Sequence, residues 1–372
     1  MNLISLDQVF QIVKPGIPLP FGVRDAGGQL LLSKGHVLPT QEKVIELLNR
    51  GMFVDADEAK RALAQGPVTI VAPKVSFSSR WEGLQRRLGF VLRNPADPEF
   101  LQNLDELIKQ LMAFPVAEAD QMLFLILRHD HSDNLIYPEA HALHTAALCH
   151  LISRRLEWPD ARRRSLVGAA LTMNLTMIDV QARLVVQERA MLPAQRREID
   201  AHPLKAAELL RRIGVRDSEW LTAVEQHHEV PGGAGYPNKV ADPGEASQLI
   251  RLCDVFTAKL SPRAKRGGLP SHQAARDLYA QSAGNPLAAA LIKECGIFPP
   301  GSYVKLATGE VAVVVRRGAT AKEPLVAAVT NAQGDALHRP VERDTSIPGR
   351  QIVGAVDAKS LMRHFSAEQI YR

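Results

Sequence analysis

Residues 227–237 read His227-His228-Glu229-Val230-Pro231-Gly232-Gly233-Ala234-Gly235-Tyr236-Pro237, the most specific motif in the chain. The residues before it, 220–226, have a helical composition, and the proline and glycines after it prevent that helix from continuing. We therefore predict that His227 and His228 lie at a helix C-terminus. Adjacent helical side chains point about 100° apart, so both imidazoles reach one ion only where it lies in a cleft beside the helix end. Glycines line such a cleft without filling it.

The composition is that of a globular protein with more than one domain. The chain has 372 residues, of which 46% are hydrophobic and 23% charged, enough for a large core. It has no apolar run of about 18 residues and no signal-peptide pattern at its N-terminus, so we expect a soluble, cytoplasmic protein. Cys149, Cys253 and Cys295 form no CxxC pair, and we expect them to be reduced and structural.

Charge and aromatic content argue against a nucleic-acid partner. The net charge is only +5, aromatic residues make up 5%, and they do not interleave with the basic clusters, so no stacking surface for nucleic acid is indicated. We expect neither DNA binding nor membrane insertion. The basic clusters are interpreted as solvated helix faces, with the exception of the segment from Arg263 to Arg266.

We predict a mainly α protein with small flanking domains. Residues 1–65 have the pattern of a small mixed domain for sensing, docking or dimerisation, with strands at 13–20, 22–32 and 52–55 and a helix at 40–49. Residues 66–80 resemble a linker. A helical connector at 81–129 and a helical domain at 130–297 follow, because apolar residues recur three and four positions apart.

The last segment, residues 298–372, is predicted to be rich in β-structure. Its strands are expected at Tyr303–Leu306, Val311–Val315, Leu325–Val329 and Ile352–Val356, with a hairpin turn at Gly309-Glu310.

The helical domain holds the residues suited to bind a metal. Imidazoles and carboxylates suit divalent iron, manganese, nickel or zinc. Taken singly, each candidate ligand has a structural explanation, such as a helix cap for His202 or a hydrogen-bonded buried carboxylate for Asp254. The metal interpretation therefore depends on the whole set, which is His141, His144, His150, His202, His227, His228 and Asp254.

The order of these residues resembles the HD-GYP branch of the HD-domain superfamily. The family's double histidine, glutamate and Gly-Tyr-Pro turn match residues 227–237. Its first ligand helix resembles residues 137–141, with His141 in the histidine position. Its isolated His-Pro matches residues 202–203, its late aspartate helix matches residues 254–258 with Asp254, and its phosphate-contacting segment resembles residues 261–266. The resemblance covers residues 130 to 297.

This resemblance implies a metal-dependent phosphodiesterase that hydrolyses cyclic di-GMP, with iron or manganese as the metal. It implies that one metal is bound by His202, His227 and His228 and another by His141 and Asp254. Glu229 would support these ligands from beside them. Arg263, Arg266 and Tyr236 would contact the substrate.

The family's defining His-Asp pair and its lysine are missing. Met173, Asn174 and Met177 stand at these three positions, and Gly232 replaces a further aspartate. A thioether is a poor ligand for hard divalent ions, and an asparagine offers a neutral oxygen in place of an anionic bridge. We therefore expect one metal ion or none.

Three functions stay open at this point. The favoured one is a bacterial-type signalling protein that binds cyclic di-GMP or a protein partner with weak or no turnover. The alternatives are a working metal-dependent phosphodiesterase and a non-catalytic scaffold. A homodimer is compatible with each.

Overall fold

The fold is described from a computed structural model that covers two compact units, Met1–Ser76 and Phe77–Arg372. The described residues are 3–9, 12–40, 43, 47, 52–64, 76–128, 136–264, 267–282, 284–320, 322–357, 361 and 365–371. Among them, the chain is mainly helical with two small antiparallel sheets. The predicted fold class is confirmed.

The first unit is a small antiparallel sheet followed by one helix. Its strands pair in the order β1-β4-β2-β3, and their core includes Phe21, Val23 and Val54. The elements are β1 (Leu3–Ser5), β2 (Val23–Arg24), β3 (Leu30–Leu32), β4 (Phe53–Asp55) and α1 (Ala56–Ala64).

Two elements predicted for this unit, a strand and a helix, are not found as elements in the described structure. A strand at 13–20 is wrong apart from an isolated bridge between Pro18 and Val37, because the prolines at 15, 18 and 20 remove ladder donors. The helix expected at 40–49 lies, except for residues 40, 43 and 47, outside the described residues.

The second unit begins with a set of packed helices. The first of them starts at Phe77, so residues 77–80 of the expected linker are helical, while 66–75 lie outside the described residues. The helices are α2 (Phe77–Arg93), α3 (Phe100–Met112), α4 (Ala119–Leu127), α5 (Tyr137–Arg155), α6 (Asp160–Thr172), α7 (Ile178–Val186), α8 (Pro193–Ile213), α9 (Ser218–Gln226), α10 (Glu245–Leu260), α11 (Ser271–Gln281) and α12 (Pro286–Cys295).

Helix α5 is the centre of this helical core. All of its residues from Pro138 to Ser153 are buried, which is the pattern of a helix surrounded by others and not of an amphipathic surface helix. It packs against α6, α10, α2 and α12. A residue of α5 is thereby placed within reach of side chains from several helices, and His141 is one of them.

Close packing of α6 against α9 fixes the helix that carries the double histidine. Gly168 lies under the ring of Trp220, where an added Cβ would come within 2.5 Å of ring atoms. The indole Nε1 of Trp220 donates a hydrogen bond to Thr172 Oγ1 at 2.9 Å. Both contacts hold α9 at one distance from α6, and α9 ends next to His227.

The chain ends in a five-stranded antiparallel sheet of order β8-β7-β6-β5-β9. Gly309, with φ of +90°, forms the predicted turn between β5 and β6. Phe124 of α4 packs on one face of the sheet with Tyr303 and Phe365. The elements are β5 (Tyr303–Leu306), β6 (Val311–Arg316), β7 (Leu325–Thr330), β8 (Ala336–Asp344), β9 (Ile352–Val356) and α13 (Ala367–Ile370).

Two further observations concern the described residues of the whole chain. No single helix among them is long and apolar enough to cross a membrane, although the α3 segment and residues Val116–Leu127, bent by 81°, pass that test as a pair by length and composition. Cys149, Cys253 and Cys295 are buried free thiols.

Candidate metal centre

Three histidines from two helices meet in one cluster. His202 lies in α8, His227 is the residue that ends α9, and His228 follows it, so the double histidine lies at a helix C-terminus as predicted. Their ligand nitrogens all lie within 4.8 Å of one another. The structure thus brings together three of the five predicted metal ligands in an arrangement that suits one ion.

The orientation of His202 follows from the proline after it. Helix α8 runs unbroken through Pro203, which has no N–H to offer the carbonyl of Ile199 four residues earlier. His202 Nδ1 donates to that carbonyl instead, at 2.5 Å. A carbonyl only accepts, so the proton of the neutral ring is on Nδ1 and the lone pair is on Nε2.

The same arrangement recurs at His227. Helix α9 ends here, which leaves its last carbonyls without helical donors, and His227 Nδ1 donates to Val224 O at 2.7 Å. The lone pair of His227 is therefore also on Nε2. In both rings a backbone carbonyl selects the tautomer and aims the free nitrogen at the cluster, as in metal-binding histidines generally.

The two free nitrogens point at each other, and this suits a bound cation. Nε2 of His202 and Nε2 of His227 are 3.1 Å apart, although neither carries a proton to share. Two imidazoles bound to one ion at about 2.0–2.1 Å bring their nitrogens to a similar separation. A divalent ion between them converts the repulsion of two lone pairs into two bonds.

Burial keeps these histidines neutral. It lowers the pKa of His202 to about 3, with a further contribution from His227. Burial likewise lowers the pKa of His227 and, more strongly, that of His228. Neutral imidazole is the form that binds metals, so the cluster meets the chemical requirement as well as the geometric one.

Tyr236 covers the third histidine. Its ring stacks on His228 with centroids 4.6 Å apart, and the guanidinium of Arg196 also lies over this ring, 5.5 Å from its centroid. Burial raises the pKa of Tyr236, so the phenol keeps its proton. Tyr236 thus shapes the edge of the cluster and presents a hydroxyl donor beside it.

The glycine-rich loop is anchored to the residues after the double histidine. Glu229 is fully buried, and its Oε1 accepts a hydrogen bond from the N–H of Asn238 at 2.7 Å. Gly235 approaches the same backbone so closely that a Cβ would lie 2.4 Å from Glu229 Cα. Glu229 therefore supports the cluster by fixing the loop, and Gly235 is required by close approach and not by a special dihedral angle.

His141 and Asp254, the other two predicted ligands, are bonded to each other. His141 Nε2 and Asp254 Oδ1 are 2.7 Å apart. Burial opposes ionisation of Asp254, but the hydrogen bond and charge of His141 outweigh it and lower the pKa of this carboxyl. Thr257 Oγ1 lies 3.3 Å from His141 Nδ1. The pair is close enough to the three-histidine cluster for Asp254 to raise the pKa of His227 and His228.

Of the two arginines predicted to contact substrate, one is described. Arg263 is exposed, and its side chain is hydrogen bonded to Tyr137. Tyr137 stacks on His141 with centroids 5.4 Å apart. Arg263 therefore lies at the edge of the His141–Asp254 pair, while Arg266 falls outside the described residues.

The segment that replaces the His-Asp pair lies against the cluster but offers no ligand set. Thr176 Oγ1 donates to the carbonyl of His202 at 3.3 Å, which places this segment beside α8. Met173 is fully buried and belongs to the hydrophobic core of the helical unit. Asn174 and Met177 are buried as well.

Several residues of the site were not foreseen from the sequence. Thr257 lies three positions after Asp254 and Tyr137 four positions before His141, so helical spacing identifies both once a ligand is chosen. Asn238 and Arg196 reach the site through the loop and through α8, and no spacing rule indicates them. His144, a candidate from the sequence, stacks on Trp81 with centroids 5.9 Å apart.

Comparisons with known proteins identify related sequences and one similar structure. Residues 121–285 match the family model described as HD domain. The chain is 25% identical over 324 residues to the cyclic di-GMP phosphodiesterase PA4108 of Pseudomonas aeruginosa, covering 80% of this chain and 76% of that one. A solved structure, Bd1817, a HDG"Y"P protein from Bdellovibrio bacteriovorus, aligns with a TM-score of 0.49 and 16% identity over 79% of this chain and 98% of that one. Residues 121–285 thus match the HD domain family model, and the predicted resemblance of this chain to the HD-GYP branch of the HD-domain superfamily is confirmed.

Proposed function

We propose that the chain is a cyclic di-GMP signalling protein whose HD domain binds the dinucleotide, or a protein partner, with weak or no turnover. The similarity to PA4108, a cyclic di-GMP phosphodiesterase, supports the choice of nucleotide. The observation that carries the proposal is the unequal state of the two predicted metal positions. One has three histidines aimed at a common point, and the other is a His–Asp pair bonded to itself.

His202, His227 and His228 would hold one divalent ion, with iron or manganese as the candidates. Such an ion polarises a phosphoryl oxygen and makes water more acidic when bound. The chain supplies the orientation of the ligands through the carbonyls of Ile199 and Val224. It also excludes water from one side of the cluster by stacking Tyr236 on His228.

The phosphates of the ligand would meet donors at the rim of the site. Arg263 and Arg266 would neutralise phosphate charge, and the Tyr236 hydroxyl would donate to a phosphate oxygen. Arg263 is linked to the His141–Asp254 pair through Tyr137, so a nucleotide bound at the three-histidine cluster would extend across both halves of the site.

Weak turnover follows from what the second half lacks. In-line attack on phosphorus is fastest when two metals stabilise the attacking and the leaving oxygen. Met173 is packed in the core and Asn174 is neutral, so no anionic bridge joins two ions. His141 and Asp254 would have to break their own hydrogen bond to bind a second ion.

Metal content and turnover of the purified protein test the proposal. After loading with manganese or iron under reducing conditions and desalting, we expect about one metal per chain, binding of cyclic di-GMP by calorimetry, and little or no linear pGpG or GMP. His227→Ala removes the metal. The matched control is His338→Ala, since His338 is an exposed histidine of β8, and it should leave metal content unchanged.

Each alternative predicts a different result. Rapid formation of pGpG or GMP that His227→Ala abolishes would establish a working phosphodiesterase and refute the non-catalytic proposal. Two metals per chain would show that His141 and Asp254 open to bind an ion. Absence of both metal and nucleotide binding would leave the scaffold function, in which the HD domain docks a protein partner.

A further inference from the structure

A second cluster of polar side chains lies at the other end of α5. His150 and Arg154 are nine and thirteen residues beyond His141, roughly 13 and 20 Å along a helix that rises 1.5 Å per residue. Arg163 of α6 lies beside them, close enough that both arginines affect His150. This group takes no part in the metal centre described above.

The cluster contains buried donors that lack partners. Both ring nitrogens of His150, and Nε and Nη1 of Arg163, are buried without a hydrogen-bond partner in the described part of the chain. The remaining Arg163 nitrogen, Nη2, donates to Asp160. Buried polar groups are nearly always satisfied in folded proteins, and each exception needs an explanation.

A cleft of about 700 Å³ opens next to this cluster, between the helices and the C-terminal sheet. Four cationic side chains line it, those of Arg154, Arg155, Lys293 and Arg317, together with the carboxylates of Asp120, Glu157 and Glu294. Arg317 is bound by Glu294 and Asp120, and Arg155 is bound by Glu294. These ion pairs engage Asp120 and Glu294 and fix the wall of the cleft, in which four cationic side chains meet three carboxylates.

Two of the four cationic side chains in the cleft lack such an ion pair within the described ranges. Arg154 and Lys293 form no ion pair or side-chain hydrogen bond with any other described residue. Burial lowers the pKa of Arg154, the charge of Glu294 raises it, and the nearby charges of Arg163 and Arg317 lower it. Arg154 therefore lies near two other arginines and near Glu294, whose carboxylate is already bonded to Arg155 and Arg317. A bound anion would add the acceptor that the Arg154 guanidinium lacks.

We propose that this cleft binds a phosphate-bearing small molecule, with Arg154 and Lys293 contacting its phosphoryl oxygens. The planar fork of an arginine matches phosphate geometry, and a lysine adds a point charge. Leu151 and Phe298 line the same cleft and provide apolar surface for the rest of the ligand. The volume lies within the range of small-molecule sites. The site is separate from the three-histidine cluster and does not depend on its function.

Binding of inorganic pyrophosphate, measured by calorimetry at constant ionic strength, tests the proposal. The tests use metal-free His227→Ala protein, so that pyrophosphate cannot bind at a metal in the histidine cluster. We expect saturable binding to one site per chain and a rise in melting temperature with concentration. Adding Arg154→Gln should weaken binding at least about tenfold, since a charge-assisted contact is lost, and adding Lys293→Gln should do the same.

The matched control is Arg212→Gln, which removes the same charge from an exposed arginine of α8 and should leave affinity within about twofold. Lys293 is also exposed, so its variant is expected to fold, and circular dichroism without ligand checks both variants. Absence of saturable binding at pyrophosphate concentrations up to about 10 mM, a range in which even a weak specific site would saturate, would overturn the proposal. Equal affinity of the Arg154→Gln, Lys293→Gln and Arg212→Gln proteins would overturn it as well.

Discussion

Replacing Pro203 by alanine separates the stability of α8 from the metal affinity of the cluster. In the native chain, Pro203 leaves the Ile199 carbonyl free, and His202 Nδ1 takes it as its acceptor at 2.5 Å. Alanine restores an N–H that competes for the same carbonyl. The ring of His202 then loses the contact that selects its tautomer and direction.

Pro203→Ala is expected to raise the free energy of unfolding and to lower the affinity for metal. A proline inside a helix costs about 3 kcal/mol relative to alanine. Against this, the substitution removes two methylenes of a buried ring, about 0.8 kcal/mol each, and the restraint that proline places on the unfolded chain, about 0.4–1 kcal/mol. The free energy of unfolding should therefore rise by roughly 0.5–1 kcal/mol, while metal affinity should fall by about 10–100-fold.

Urea unfolding of the metal-free protein and competition with a chromophoric chelator measure the two quantities. Pro193→Ala is the matched control, because Pro193 is exposed at the first position of the same helix, where proline is tolerated. It should change neither quantity appreciably. Unchanged metal affinity in Pro203→Ala would show that the proline does not orient His202, and the reasoning on the tautomer would fail.

Three further predictions concern the loop and the two halves of the site. Gly235→Ala should lower the free energy of unfolding, measured in urea, by about 1–3 kcal/mol, because its Cβ would overlap the backbone of residues 228–230. The control Gly83→Ala has open space around its Cβ in α2 and should be neutral or stabilising. A larger loss of stability in Gly83→Ala than in Gly235→Ala would contradict the close approach at Gly235. Met173→His with Asn174→Asp should raise metal content per chain in elemental analysis, and no rise would count against the alignment with the family motif. Asp254→Asn should leave the metal of the three-histidine cluster bound, with affinity changed less than about tenfold, and complete loss of that metal would show that the two halves act as one site.

The helices and most strands of the second unit could be predicted because their patterns are local. The limits of α8, from Pro193 to Ile213, follow from periodicity bounded by a proline and by Gly214. The buried strands of the C-terminal sheet are continuous runs of valine and alanine. Strand β8 was not predicted because it is an exposed edge strand whose residues are mostly polar and include Pro340. Strand β1, three residues long, has too little sequence to give a period.

The candidate site was predictable in its residues but not in its bonds. The order of His202, His227 and His228 indicated the cluster, and the predicted helix C-terminus at His227 agrees with the structure. His202, expected to open or interrupt a helix, lies instead inside α8. The hydrogen bond between His141 and Asp254 joins residues 113 positions apart, and no local pattern indicates whether such a pair closes on itself. The role of Glu229 likewise depends on Asn238, which meets it only when the loop folds back.

The two halves of the site differ because their ligands are oriented by different partners. His202 and His227 take their direction from carbonyls of their own helices, so loss of the family's His-Asp pair at residues 173–174 removes nothing that aims them. The contact from that segment is the hydrogen bond of Thr176 to the His202 backbone, which leaves the imidazole untouched. Asp254 is different, because its carboxylate needs a cationic or hydrogen-bonding partner once buried, and His141 is the partner it has. Under the proposed function, the absence of a His-Asp pair at Met173 and Asn174 would therefore leave His141 and Asp254 bonded to each other, and the three-histidine cluster would remain able to bind a metal.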